Sequence, residues 1–200
     1  MLLGLCGLIG SGKGAVADIL VQDYDFKKIS FADRLKDGVA AMFGWDREML
    51  EGDSEESRAW REEVDFYWTR ETKKEVTPRL VLQVVGTECM REGFFDGIWI
   101  SLLKQQILSN PNTNFVIPDV RFKNEIKMIK GLGGDIWRIK RGSDPLWFNS
   151  YIKSNILPSN VHPSEWNWAN SKFDHTIDNS ADLVALTHNI RRLLESYAPF

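Results

Sequence analysis

The sequence predicts an α/β fold, a mostly parallel sheet of about five strands covered by helices on both faces. Three observations carry that reading. Short apolar runs without polar alternation, such as Leu2–Leu8 and "FVI" before Pro118, have the pattern of strands buried on both sides. Between such runs lie segments whose apolar residues recur at helical spacing, so strands and helices alternate along the chain. A glycine-rich stretch, "GLIGSGKG", joins the first run to the first helical segment.

Taken in order, Leu2–Leu8 is a strand and Ala15–Val21 a helix begun inside the glycine stretch. "FKKIS" (26–30) is a second short strand, and "FADRLKDGVAAMFG" a helix that stops at Gly44. The charged stretch from Asp46 to Glu75 has a helical, solvent-facing pattern. Pro78 opens a helix through "PRLVLQVVGTECMREGF", because its fixed φ suits a first turn. "DGIWISLLKQQILSN" is a further amphipathic helix, followed by the loop "PNTN" and a central strand in "FVIPDVRF". "KNEIKMIKGLGG" is a helix closed by glycines, and "DIWRIKR" alternates as a strand. Residues 142–174 are aromatic, broken by proline and irregular. "HTIDN" is the last strand, and "SADLVALTHNIRRLLESY" a terminal helix with Ser180 as the expected N-cap. There is no internal repeat, and the 200 residues suffice for one sizeable core with inserts after the second strand and before the last.

Composition narrows the function. Hydrophobic residues at 43% and charged residues at 26% are ordinary for a soluble globular protein. A net charge of −3 argues against a nucleic-acid polymer as partner while leaving room for a local basic pocket. Two cysteines, Cys6 and Cys89, are too few for a disulfide framework and fit a reducing cytoplasm. The apolar N-terminus lacks the basic start of a signal peptide, and no run approaches the roughly 18 residues of a membrane span. A soluble cytoplasmic protein is expected, with no membrane partner, and a homodimer is compatible with the sequence.

Gly7, Gly12 and Lys13 stand at the G-x-x-x-x-G-K spacing directly after a strand and before a helix, the context that a phosphate-binding loop requires. Such a loop curls so that successive N–H groups point inward as an anion nest, and the helix N-terminus adds partial positive charge. Gly7, Gly10, Ser11, Gly12, Lys13, Gly14 and Ala15 are therefore assigned to a nucleoside triphosphate, with Lys13 following the charge on its β- and γ-phosphates. One departure stands out. The hydroxyl residue that usually follows the lysine and ligates Mg²⁺ is replaced by Gly14. Either phosphates, water and a carboxylate hold the metal, or Ser11 substitutes.

No guanine-reading N-K-x-D is present, and the remaining features point to a kinase of a small phosphorylated acceptor. "SFADRLKD" places Asp33 and Lys36 on the first turns of a helix after the second strand. It resembles the S-x-G-D-x-L-R segment of adenylate kinases, whose last basic residue holds the acceptor monophosphate. An i, i+3 pair on a solvated helix face accounts for Asp33 as well. Asp119 ends a buried strand, where it can hold a magnesium-bound water or orient the acceptor. Arg121, two residues on, lies at the sheet edge where doubly wound folds bind ligands, placed to clamp the attacked phosphate. A salt bridge is the structural alternative for that pair.

Together "GSGKG", "SFADRLKD", "LQVVGTECMREGFFDGIWI", "PDVRFKNE", "HPSEW" and "IDNSADL" resemble, in that order, the phage deoxynucleoside monophosphate kinase family over nearly the full length. The resemblance implies a single nucleoside-monophosphate-kinase-like domain over 1–200, with a helical acceptor-binding insert about 31–110 and a lid about 141–174. It implies transfer of the ATP γ-phosphoryl group to a dNMP with Mg²⁺, in a host cytoplasm if phage-encoded. Gln83, Glu88, Arg91 and Trp99 would line the acceptor pocket with Asp33, Lys36 and Arg121, Trp99 stacking on the base. Arg141, and after it Arg138, would close over the phosphates; Asn179 would meet the adenine. His162, Ser164 or Glu165 would anchor the lid by a hydrogen bond, while His175 and His188 carry no assigned role. Two other readings stay open: a dephosphocoenzyme A kinase or other small-metabolite kinase, and a nucleotide-binding module that has lost catalysis.

Overall fold

A computed structural model describes residues 1–156, 161 and 163–197. The chain divides into two compact units, one formed by Met1–Ser30 with Gln106–Phe200 and the other by Phe31–Gln105.

The first unit holds five parallel strands: β1 (Leu2–Cys6), β2 (Phe26–Lys28), β3 (Asn114–Ile117), β4 (Asp135–Lys140) and β5 (His175–Asp178). They lie in the order β2-β3-β1-β4-β5, so β1 is central, flanked by β3 and β4. Helices α1 (Lys13–Asp23) and α10 (Leu183–Glu195) pack on one face. Leu3, Leu5, Val16, Leu20, Ile139 and Ile190 are buried there, and each such side chain contributes about 1.5–3 kcal/mol. Gly4, between those two leucines, faces the other side, where a Cβ would lie 2.7 Å from Ile129 of α7 (Lys123–Gly131). The uninterrupted apolar run of β1 thus serves two layers, as a central parallel strand must.

The second unit contains α2 (Asp33–Phe43), α3 (Glu55–Trp60), α4 (Phe66–Thr72) and α5 (Pro78–Gln83). Next come a π-helix over Val84–Glu92 and the start of α6 (Ile98–Leu108). Its core is Val39, Leu50, Val76 and Val81 with an aromatic cluster against them. Phe43 stacks on Trp45 at 4.6 Å, and Trp45 meets Trp60 edge-on at 5.9 Å. The charged stretch 46–75 is accordingly not simply solvent-facing. It breaks into two short helices capped by Ser54 and Asp65, which turn Trp60 and Trp68 onto this core.

Two further expectations change. Residues 142–174 contain helices α8 (Leu146–Ser154) and α9 (Pro163–Trp166), because Phe148, Tyr151 and Trp168 give that segment an apolar face to bury. Asp182 caps α10 by accepting the Ala185 N–H, and Ser180 instead accepts the Gly142 N–H at 2.8 Å. Among the described residues no helix is long and apolar enough to cross a membrane.

Candidate active site

The glycine stretch forms the turn between β1 and α1 at the C-terminal edge of the sheet. Gly12 has φ +94°, which L side chains rarely adopt, and a Cβ there would collide with the Asn179 amide. At Gly7 a Cβ would stand 2.5 Å from the Ile139 carbonyl and from Ser11 Oγ. The loop is therefore packed from both sides, and glycine is needed at these points for space as well as for curvature.

Lys13 folds back over the loop, donating to the Gly7 carbonyl at 2.7 Å and the Leu8 carbonyl at 3.0 Å. Burial, reinforced by the Arg121 guanidinium, brings its ammonium down to about 8, against the opposing pull of Glu165 and Asp119. Cys6, beneath the loop, is fully buried, and that burial together with Glu125 pushes its thiol well above the ordinary range. Two anions and one cation thus surround the lysine, all from the expected strand edge or from α9.

Asp119 follows β3, and its Oδ2 accepts the Ser30 hydroxyl at 2.6 Å. Arg121 is held through its backbone: its N–H and that of Phe122 donate to Glu125 at 2.7 and 3.0 Å. Its guanidinium reaches the Ser164 hydroxyl at 3.4 Å and Glu165 Oε1 at 3.2 Å, while Glu165 Oε2 accepts the Ile9 N–H of the loop at 3.2 Å. Of the three candidates for an anchoring hydrogen bond, Ser164 and Glu165 both bond Arg121. His162 lies outside the described residues.

Asn179 is buried at the end of β5, and its amide donates to the Ser11 carbonyl at 3.0 Å. One amide N–H of Asn179 thus braces the loop. Arg138 is likewise committed, paired with Asp144 at 2.6 Å and lying over the Phe148 ring at 4.7 Å. It pins α8 to β4 and has little freedom to close over phosphates. Arg141 is exposed. Together with Ser11, Lys140 and Trp147 it borders a cavity of about 430 Å³ beside the loop, within the range of small-ligand sites.

The residues fit a magnesium ion in one of the two expected ways. Ser11 Oγ is buried against Gly7 with no hydrogen-bond partner among the described residues, so it faces under the loop. The hard oxygen donors on hand are Asp119 and Ser30, and among the described residues no cluster of three His, Cys, Asp or Glu exists. Mg²⁺ needs few protein ligands and keeps its waters, which suits an ion carried on phosphates and touched by Asp119 through water.

The remaining candidates belong to the second unit. Lys36 is mostly buried and pairs with Glu51 at 2.5 Å. Arg47 also bonds Glu51, and it pairs with Asp37 at 2.7 Å and Asp33 at 3.7 Å. Hydrogen bonds from the two cations hold the Glu51 carboxyl below its ordinary range, against the effect of burial. Glu88 and Arg91 lie on the π-helix, with Glu88 exposed, and Gln83 ends α5 exposed. Trp99 is buried and donates its indole N–H to the Gly86 carbonyl at 3.0 Å. This corrects the base-stacking expectation, since Trp99 braces the π-helix from within. Sequence reasoning passed over Ser30, Arg47, Glu51 and Asp144. An i, i+4 spacing links Arg47 with Glu51 and Lys140 with Asp144.

No protein-family model matches the chain. A chain of Acanthamoeba polyphaga mimivirus named as a deoxynucleotide monophosphate kinase is 33% identical over 177 residues, 82% of this chain and 80% of that one. A deoxynucleoside-5′-monophosphate kinase of Escherichia phage T5 is 28% identical over 115 residues, 58% of this chain and 39% of that protein. Among solved structures, a dephospho-CoA kinase from Campylobacter jejuni aligns over 98% of this chain and 97% of its own. At 14% identity and a TM-score of 0.46, that likeness carries no argument about acceptor. The loop, the Asp119–Arg121 strand end and the extent of the viral match converge: the chain belongs to the deoxynucleotide monophosphate kinase family.

Proposed function

We propose that the chain transfers the γ-phosphoryl group of ATP to a deoxynucleoside monophosphate, giving a deoxynucleoside diphosphate and ADP. The observation that carries this is Lys13 set in a backbone nest beside Arg121 and Asp119, in a chain of this family. The loop amides and Lys13 take the polyphosphate, which restores the full charge that burial weakens in the free protein. Arg121, its backbone fixed by Glu125, presents a guanidinium to the transferring group as charge spreads over its equatorial oxygens.

An oxygen of the acceptor phosphate forms the new P–O bond while the bond from the γ-phosphorus to the bridging oxygen breaks and ADP leaves with that electron pair. The attacking oxygen is already anionic, so no strong base is needed. Magnesium would supply charge neutralisation on the phosphates, and Asp119, hydrogen-bonded to Ser30, would hold it through water. Arg141 is assigned to the phosphates over the cavity. Asp33, Lys36, Gln83, Glu88 and Arg91 of the second unit are assigned to the acceptor, with Trp99 as their support.

The test is ADP release with ATP and Mg²⁺ against each dNMP, each NMP and dephospho-coenzyme A. Turnover confined to one or more dNMPs is expected. Turnover with dephospho-coenzyme A alone, or with no acceptor, would overturn the assignment.

A further inference from the structure

We propose that Glu165 is an internal competitor for the nucleotide's terminal phosphate, seated on the phosphate loop until ATP displaces it. The inference rests on the reading of residues 7–14 as a polyphosphate site. Glu165 arrives from α9, yet its two carboxylate oxygens divide between the loop and the strand edge. Oε2 accepts the Ile9 N–H at 3.2 Å, and Oε1 pairs with Arg121 Nη1 at 3.2 Å. Lys13 lies close enough to be influenced by the same charge.

A loop amide, a guanidinium and the loop lysine around one anion are the donors that recognise a phosphate oxygen. A single N–H cannot serve a carboxylate and a phosphate at full strength, and two anions in one nest repel each other. Nucleotide binding is therefore an exchange at Ile9 and Arg121, and the measured affinity is the phosphate's contacts less those of Glu165. The side chain is 23% exposed, so it can leave without unpacking a core. The exchange has a second product: Arg121, released from Glu165, becomes available to the group being transferred.

The experiment titrates metal-free tripolyphosphate calorimetrically into the wild type, Glu165→Gln and Glu165→Asp, with a thermal melt of each to establish folding. Glutamine keeps the length and an acceptor for Ile9 but removes the charge; aspartate keeps the charge but shortens the reach. Glu165→Gln is expected to bind about tenfold more tightly than the wild type, the worth of one charge-assisted hydrogen bond. Glu165→Asp should fall between them. Equal or weaker binding by both variants overturns the proposal and makes Glu165 a clamp of the loop, while leaving the polyphosphate site standing. No tripolyphosphate binding by any of the three removes the site itself and the proposal with it. A second arm repeats the titration with ATP and Mg²⁺; a loss of affinity in Glu165→Gln confined to that arm would make Glu165 a metal holder and also overturn the proposal.

Discussion

Nucleotide binding to this protein should take up a proton at Lys13. In the free protein burial and Arg121 bring that ammonium down to about 8, whereas a polyphosphate beside it restores the charged form. At pH 8 about half of the free Lys13 is neutral, so binding should draw about 0.5 proton from the buffer, rising to about 0.9 at pH 9 and falling to about 0.1 at pH 7. Affinity should fall about tenfold between pH 7 and pH 9, or about 1.4 kcal/mol. Isothermal titration of tripolyphosphate in buffers of different ionisation enthalpy reads the uptake directly as a slope. Lys13→Arg, charged throughout this range, should lose this uptake and keep only the proton change of the ligand itself. The same titration fixes the sign of a stability effect. Below about pH 8 folded and unfolded chains both hold the Lys13 proton, and the cost of burying the charge is present in full. Between about 8 and 10.5 the unfolded chain keeps a proton that the folded loop has shed, so the lysine's contribution to stability improves as pH rises. A wild-type slope at pH 8.5 equal to that of Lys13→Arg would refute the burial argument.

Arg121→Ala should lower kcat by about 10²–10³-fold, the usual loss on removing one donor to a developing charge, whereas Asp33→Ala should cost less than about tenfold. Steady-state kinetics giving the reverse ranking would remove Arg121 from the transferring group. Asn179→Ala strips the Ser11 carbonyl of its buried donor and should cost about 1–3 kcal/mol in urea unfolding, with weaker tripolyphosphate binding. An unchanged midpoint and affinity would show that the loop needs no brace. Trp99→Phe keeps an aromatic ring but removes the indole donor to the Gly86 carbonyl. It should raise KM for the acceptor while leaving KM for ATP unmoved, and equal changes in both would disprove a role limited to the π-helix.

What the sequence made legible was local. Gly7, Gly12 and Lys13 fall within seven residues between an apolar run and a helical period, so spacing alone located the loop, and charge at the end of a buried run located Asp119 and Arg121. The rest depends on partners far along the chain. Glu165 meets Ile9 across 156 residues and Asn179 meets Ser11 across 168, distances over which no periodicity speaks. The π-helix was hidden for another reason: its apolar spacing passes for an ordinary helix, and the Trp99 contact that accompanies it lies 13 residues away. Residues 142–174 look irregular because proline and polar residues lower helical propensity, but burial of Phe148 and Tyr151 outweighs that within α8. The helical period places Lys36 on α2, whereas its pairing with Glu51 across a loop leaves no mark in that period.

The two cysteines differ in a way that experiment can use. Cys6 is sealed beneath the loop with its thiol protonated, whereas Cys89 is exposed on the π-helix next to Glu88. Thiolate-directed reagents should therefore modify the native protein at Cys89 alone, without mutagenesis. A maleimide fluorophore placed there would report changes around the π-helix by its emission, and the chemistry of the glycine loop would remain untouched.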